Sequence, residues 1–148
     1  MDITGLPPSE MYSLPKFIWM NKHTNVFTQA EKILFYEDYV GYVLTGERKV
    51  SYSSAARSMA FDIGEKCWSS FLLDKAGIRQ EQLSDPVPSG TVIGRVKQDI
   101  ARELNLSSDT VVVAGGHDQT CAALGGGLTG GGIGEDGHGT VSYTHLYH

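Results

Sequence analysis

Cysteine and basic side chains are both scarce in this 148-residue sequence. The two cysteines, Cys67 and Cys121, are too few for the disulfide framework of a small secreted protein. Twelve Lys and Arg against seventeen Asp and Glu give a net charge of −5, and the sequence has no basic tract. A nucleic-acid partner is therefore not expected. The small number of basic side chains makes the protein acidic, and the small number of cysteines favours a reducing compartment.

Long apolar runs are missing as well. No run approaches the roughly 20 residues that a membrane-spanning helix needs. The opening residues 1–5 lack the basic start and the apolar stretch of a signal peptide. From these features we expect a soluble, cytoplasmic protein without a membrane partner. Its length allows one compact domain or part of a larger one.

Glycine is plentiful but unevenly distributed. Of the 18 glycines, eleven lie between Gly115 and Gly139, and seven are spread over the first 114 residues. Glycine supplies backbone freedom where a chain turns tightly or approaches a ligand. A glycine-rich tail can equally be flexible and poorly ordered. The composition alone leaves both interpretations open.

Apolar spacing and turn residues predict alternating helices and strands. Residues 33–35 are an apolar run that fits either type of element, and residues 84–90 are a proline-rich connection. Strands separated by helices favour an α/β fold. The predicted helices cover residues 15–20, 26–30, 38–44, 55–57, 68–76, 98–104 and 119–124, and the predicted strands cover residues 91–96 and 110–114.

Two of these segments carry specific expectations about burial. The helix over 68–76 places Trp68, Phe71, Leu72 and Ala76 on one face, which should be the buried one. The strand over 110–114 is apolar throughout, as is typical of a strand that is covered on both sides of its sheet.

The strongest local signal for chemistry follows that strand. Gly115 and Gly116 end it, and His117 and Asp118 stand where the next helix begins. In α/β sheets, ligands bind beyond the carboxyl ends of the strands. The carboxylate of Asp118, ionised at neutral pH, can accept a hydroxyl proton there. Asp is also a preferred N-cap residue, and the local pattern alone favours the cap over the catalytic role.

The neighbouring polar residues are ambiguous. Gln119 either bonds a sugar hydroxyl or faces solvent. His117 suggests a metal ligand, but the other histidines have no metal-ligand spacing to it, so we predict no metal site and a structural role for His117. The glycine-rich residues 130–134 and 137–140 can present amides to phosphate. They match neither a P-loop nor a dinucleotide-binding fingerprint.

Read in order, the motifs of the chain resemble the FGGY family of carbohydrate kinases, in particular pentulose and hexulose kinases such as xylulokinase and gluconokinase. Each motif is modest, and the ordered set is fairly specific. The matching pieces are Lys16 to Trp19 (Lys-x-x-Trp), Leu44-Thr45-Gly46 after Asp38, Ser53 to Ala56, Phe61-Asp62, Trp68-Ser69, Gly90 to Gly94, Val112 to Asp118, and Gly139-Thr140.

The resemblance implies a ribonuclease H-like, actin-like ATPase fold, with an incomplete mixed sheet and flanking helices. It also implies ATP- and Mg²⁺-dependent phosphorylation of a sugar or polyol hydroxyl. Asp118 would be the catalytic base. Gln119 and Met11 would bind the sugar together with Asp118, and Gly139 and Thr140 would bind the nucleotide phosphates.

The chain also departs from the family pattern. It has no Asp-x-Gly-Thr hairpin at its start, and it stops soon after Thr140, before the family's second domain. Residues 1–140 are therefore expected to be the later part of the kinase N-terminal domain, and residues 141–148 an atypical tail. We expect this chain alone to lack kinase activity.

Two other function classes remain at this point. One is a non-catalytic member of the actin-like ATPase fold that binds a sugar or a partner protein. The other, a dinucleotide-dependent oxidoreductase, is suggested only by the glycine content and lacks the Rossmann spacing. The sequence does not identify the sugar or the oligomeric state.

Overall fold

The structure is a computed structural model that describes residues 2–128, 134–138 and 142–146. The chain forms two compact units, Met1–Gly115 and Gly116–His148. No helix in these described ranges has the length and hydropathy needed to cross a membrane.

The first unit alternates short helices with short strands, as predicted. Pro15 lies in the first turn of helix α1, where a missing N–H costs no helical hydrogen bond. Ser51 caps α4 by accepting a hydrogen bond from the backbone N–H of Ser54 at 3.2 Å. The helices of this unit are α1 (Ser13–His23), α2 (Val26–Gln29), α3 (Tyr36–Thr45), α4 (Tyr52–Ala56), α5 (Ser70–Ala76) and α6 (Gln98–Glu103), with a 3-10 turn at Gln80–Gln82.

The strands of the first unit form both parallel and antiparallel pairs. In the described residues these pairs are separate two-stranded ladders. β1 runs parallel to β4, β2 antiparallel to β3, and β5 antiparallel to β6 with an irregularity between Val92 and Gly94. Their bounds are β1 (Lys49–Ser51), β2 (Phe61–Asp62), β3 (Cys67–Trp68), β4 (Asp85–Val87), β5 (Val92–Arg95) and β6 (Val111–Val113).

Strand β4 corrects the prediction for residues 84–90, which the prolines suggested to be a connection. Pro86 lies opposite Val50 in the parallel pair. Proline has no N–H to donate, and it is tolerated in a strand where that side of the backbone needs no ladder bond. The two-stranded ladder of β1 and β4 leaves such an edge.

The apolar core lies between α1, α4, α5 and the strands β1 to β3. The Trp68 ring packs edge-on against Phe61 at a centroid distance of 5.9 Å and lies 6.1 Å from Phe35. The buried members of this cluster are Leu14, Phe17, Phe27, Ile33, Val50, Ala55, Ala60, Phe61, Trp68, Leu73, Ala76, Ile78 and Leu83.

The buried side chain of Gln82 forms hydrogen bonds with the backbone at α2 and just after it. The Gln82 amide nitrogen donates to the carbonyls of Phe27 at 2.8 Å and Ala30 at 2.7 Å, and its oxygen accepts from the Arg79 N–H at 3.0 Å. Residues 33–35, which the sequence left as strand or helix, are neither. Ile33 instead donates its N–H to the Gln82 carbonyl at 2.8 Å.

One predicted buried face is confirmed except for one residue, and the other is wrong. Trp68 and Ala76 are buried and Leu72 packs against the core. Phe71 is 59% exposed, and Leu73 takes its place in the core, because Trp68 belongs to β3 and the helix begins only at Ser70. The strand over 110–114 is not covered on both faces. Val111 and Val113 lie on one face of β6 and are 44% and 47% exposed.

A close contact between α1 and the end of α5 gives a testable difference between two glycines. Gly77 and Gly90 both have a left-handed φ, of +69° and +86°. A Cβ at Gly77 would lie 2.1 Å from the Asn21 amide nitrogen, whereas one at Gly90 meets nothing within 4 Å. Gly90→Ala should cost about 1–2 kcal/mol from backbone strain alone. Gly77→Ala should cost more in urea denaturation, because Asn21 must move.

The added cost should disappear when Asn21 is shortened. In the Asn21→Ala background, Gly77→Ala is expected to cost about as much as Gly90→Ala. Equal costs of the two glycine substitutions in the wild-type background would contradict the close approach of α1 to Gly77.

The second unit contains helix α7 (Asp118–Gly125) and an antiparallel pair of strands, β7 (Gly134–His138) and β8 (Ser142–Leu146). Gly134 lies opposite Leu146 and His138 opposite Ser142. Part of the expected tail, residues 142–146, is thus a strand.

Candidate active site

The backbone passes from β6 into α7 at the paired glycines, in the predicted order of strand, glycines and helix. A Cβ at Gly115 would meet nothing within 4 Å, and Gly115 does not have a left-handed φ. The turn itself does not require glycine at this position. What the structure shows beside Gly115 is open space, which is compatible with a ligand.

Asp118 is the first residue of α7, and its carboxylate points into solvent. The side chain is 80% exposed. Its Oδ1 accepts a hydrogen bond from the backbone N–H of Gln119 at 2.8 Å. The N-cap interpretation is wrong in position: His117 occupies the N-cap and makes no side-chain cap hydrogen bond. The carboxylate is accessible to an incoming hydroxyl group, and a negative charge in the first turn is favoured by the helix dipole.

His117 contacts the candidate base directly, which the sequence interpretation did not anticipate. Its Nδ1 lies 3.0 Å from Oδ1 of Asp118, and its carbonyl accepts from the Thr120 hydroxyl at 2.6 Å. An imidazole protonated at Nδ1 donates to the carboxylate and restrains its rotamer. The sequence offered one signal for this contact. His117 and Asp118 are adjacent at the start of a helix, where neighbouring side chains turn toward the same free backbone N–H groups.

The two predicted sugar contacts fall in different units. Gln119 follows Asp118 in α7 and is half-buried. Met11 is in the first unit and is 53% exposed, and its carbonyl accepts from the Lys16 ammonium at 2.8 Å. Beside it, an open and mostly apolar depression of about 490 Å³ is lined by Glu10, Pro15, Lys16, Trp19 and Met20. The Lys-x-x-Trp motif therefore forms part of a surface.

The predicted phosphate contacts, Gly139 and Thr140, lie outside the described residues. In the part of the chain that the structure describes, no three His, Cys, Asp or Glu side chains gather closely enough to hold a metal ion.

Comparison with known proteins gives a family match that covers most of the chain. The model of the FGGY family of carbohydrate kinases, N-terminal domain, matches residues 1–125. Xylulose kinase of Lactococcus lactis is 32% identical over 148 residues, covering 99% of this chain and 30% of the relative. Autoinducer-2 kinase of Escherichia coli K12 is 33% identical over 114 residues, covering 76% of this chain and 22% of the relative.

A solved structure agrees with these sequence matches. The crystal structure of a xyloylose kinase from Brucella ovis superimposes with a TM-score of 0.89 and 28% identity, covering 96% of this chain and 30% of that one. The chain spans between 22% and 30% of the length of these three relatives.

Proposed function

Because this chain belongs to the FGGY family of carbohydrate kinases, we propose that it takes part in the ATP-dependent phosphorylation of a sugar or polyol hydroxyl, with Asp118 as the general base. The observation that carries the proposal is the exposed carboxylate of Asp118 in the first turn of α7, directly after Gly115 and Gly116. A base must reach the proton that it removes, and an 80% exposed side chain can do so.

The proposed reaction transfers one phosphoryl group. The sugar oxygen forms a bond to the γ-phosphorus of ATP as the bond from that phosphorus to the bridging oxygen of ADP breaks. The hydroxyl proton passes to the Asp118 carboxylate. General-base help of this kind contributes about 10²–10⁴-fold in rate. The Gln119 N–H and the His117 ring, both bonded to Oδ1, hold the carboxylate in place.

The other contacts follow from the family membership. We assign Gln119 and Met11 to the sugar, and Gly139 and Thr140 to the nucleotide phosphates. Phosphoryl transfer depends on positioning and on neutralising phosphate charge, commonly with Mg²⁺.

We further propose that residues 1–140 form the later part of a kinase N-terminal domain in a longer protein, with 141–148 as an atypical tail. The motivating observation is that the chain spans 30% of the length of the xylulose kinase it resembles. The reading frame on either side of this segment tests the proposal. An Asp-x-Gly-Thr hairpin upstream and a second domain downstream support it, and stop codons on both sides contradict it.

The purified 148-residue chain is expected to show no sugar-dependent ATP turnover. An ADP-release assay against a panel of ketoses and sugar acids measures this, with an active carbohydrate kinase as the positive control. Turnover by the chain with any of these sugars would contradict the expectation of a partial domain. The same panel, applied to the longer protein, tests the proposed reaction, which fails if every sugar leaves ATP unused.

A further inference from the structure

The buried face of α3 is polar, although the helix has a clear apolar stripe. Asp38 is fully buried and Gly41 is buried beside it, whereas Tyr39 is 54% and Val40 44% exposed. A carboxyl group at a buried position carries a large desolvation cost when it is ionised. The proposed kinase reaction does not explain why Asp38 is buried.

One oxygen of this carboxyl group has a partner and the other has none. Asp38 Oδ2 accepts from the Ser84 hydroxyl at 2.5 Å. Asp38 Oδ1 is buried without a hydrogen-bond partner in the described residues. A buried carboxylate can accept about four hydrogen bonds, and the anion loses the water that would otherwise supply the missing ones. Full burial with an unpartnered oxygen therefore disfavours the anion relative to the neutral acid.

The Asp38–Ser84 bond joins two distant parts of the first unit. Ser84 lies just before β4 and is also fully buried, and its carbonyl accepts from the Trp68 indole N–H at 2.8 Å. Through its two hydrogen bonds, Ser84 therefore connects helix α3 to the start of β4 and to Trp68 in the aromatic core. A change in the charge of Asp38 acts directly on this junction.

The charged groups on the elements around Asp38 do not neutralise it. Glu37, its neighbour on α3, is an acid whose oxygens accept from the N–H and hydroxyl of Ser51. The basic groups nearby have other partners: Arg48 bonds the Glu81 and Leu83 carbonyls, Lys49 pairs with Asp85, Arg95 with Asp109, and Lys97 bonds the Val43 carbonyl.

We propose that the buried Asp38 carboxyl is a proton-linked latch for the first unit: the folded unit, in which Asp38 joins α3 to Ser84, favours the neutral carboxyl and is destabilised when Asp38 ionises. Burial raises the pKa of Asp38 from 3.8 to about 6, against the opposing effects of the Ser84 hydrogen bond and of backbone hydrogen bonds at Asp38 and Phe35. Glu37 raises the pKa further. This group therefore stabilises the folded first unit in mildly acidic solution and destabilises it above neutral pH.

The sign of the pH dependence follows from these two values. Between pH 4 and 6 the folded chain holds a proton that the unfolded chain has released, so folding is favoured by acid. The contribution is fully present below about pH 4 and is lost as pH rises through 6. A shift of about two units corresponds to roughly a 100-fold change in the folding equilibrium constant.

Urea denaturation of the full 148-residue chain between pH 4 and 8 measures this linkage. We expect the folding equilibrium of the wild type to weaken by up to about 100-fold over that range relative to Asp38→Asn, which imitates the neutral acid. Asp99→Asn, which changes an exposed residue of α6, serves as the control. Its folding equilibrium should weaken between pH 4 and 8 by the same factor as that of the wild type. The proposal is overturned if the folding equilibrium constant changes by the same factor between pH 4 and 8 in Asp38→Asn as in the wild type.

A direct titration keeps the proposal testable if a variant does not fold. The ¹³C shift of the Asp38 carboxyl carbon, followed against pH in the folded wild-type chain, should have a midpoint near 6. Ser84→Ala should move the midpoint upward, because it removes the hydrogen bond that favours the anion. A midpoint near 4 in the wild type, or one that Ser84→Ala leaves in place, contradicts the latch.

Discussion

Replacing Asp118 by Asn in the longer kinase that we propose to contain this chain is expected to lower sugar phosphorylation about 10²–10⁴-fold while leaving the dissociation constant of the sugar nearly unchanged. The amide is close in size to the carboxylate, and its oxygen can still accept the Gln119 N–H, which the carboxylate accepts at 2.8 Å. It cannot take up the hydroxyl proton. The loss should therefore appear in kcat rather than in sugar affinity.

Asp99 offers a matched control for this substitution. It is an exposed aspartate in the first turn of α6, so Asp99→Asn removes the same charge from the same kind of position. Turnover measured by ADP release and sugar binding measured by calorimetry should both be close to wild type in this variant. If Asp118→Asn retains full turnover, Asp118 is not the base. If the wild-type protein binds a sugar without turning over ATP, the non-catalytic alternative is favoured.

Trp68→Ala should be the most destabilising single change in the first unit, with a cost of about 3–5 kcal/mol in the free energy of unfolding. Trp68 is 3% exposed and packs against Phe61 and Phe35. Its removal leaves a cavity in the core and also takes away the donor that the buried Ser84 carbonyl uses. An unsatisfied buried carbonyl adds its own desolvation cost. Urea denaturation followed by far-UV circular dichroism measures the loss.

The second tryptophan supplies the comparison. Trp19 is 59% exposed and stacks on His23 at a centroid distance of 4.5 Å, so Trp19→Ala should cost about 1 kcal/mol or less. Trp68→Phe, which retains most of the ring but not the donor, should fall between the two alanine variants. It also gives a measurement if Trp68→Ala does not fold. Similar losses for both alanine variants would contradict the assignment of Trp68 to the core.

The sequence predicted elements whose signals are local. Helices α1, α5 and α6 overlap the predicted segments 15–20, 68–76 and 98–104, because caps, turns and helical spacing depend on a few adjacent residues. The ribonuclease H-like, actin-like ATPase class, predicted from the order of the motifs, is confirmed by the superposition on a solved kinase of the family.

Burial was less predictable, because it depends on partners far along the chain. The periodicity of α3 shows that Tyr39, Val40 and Val43 share a face but not that this face is exposed. The opposite face is buried because Asp38 meets Ser84, 46 residues further along. The position of Asp118 at the start of a helix was predictable from the preceding strand and glycines, whereas its contact with His117 required the geometry. Its catalytic role stays a prediction, as do those of Gly139 and Thr140.

The buried amide of Gln82 has a consequence for the order in which the chain acquires structure during synthesis. Its two acceptors, the carbonyls of Phe27 and Ala30, precede it by 55 and 52 residues. At about 5–20 residues per second, a ribosome releases them roughly 3–11 s before Gln82 is made. Until then these two carbonyls lack the partner that they have in the folded chain, so the segment around α2 reaches its final structure only after Gln82 has been made.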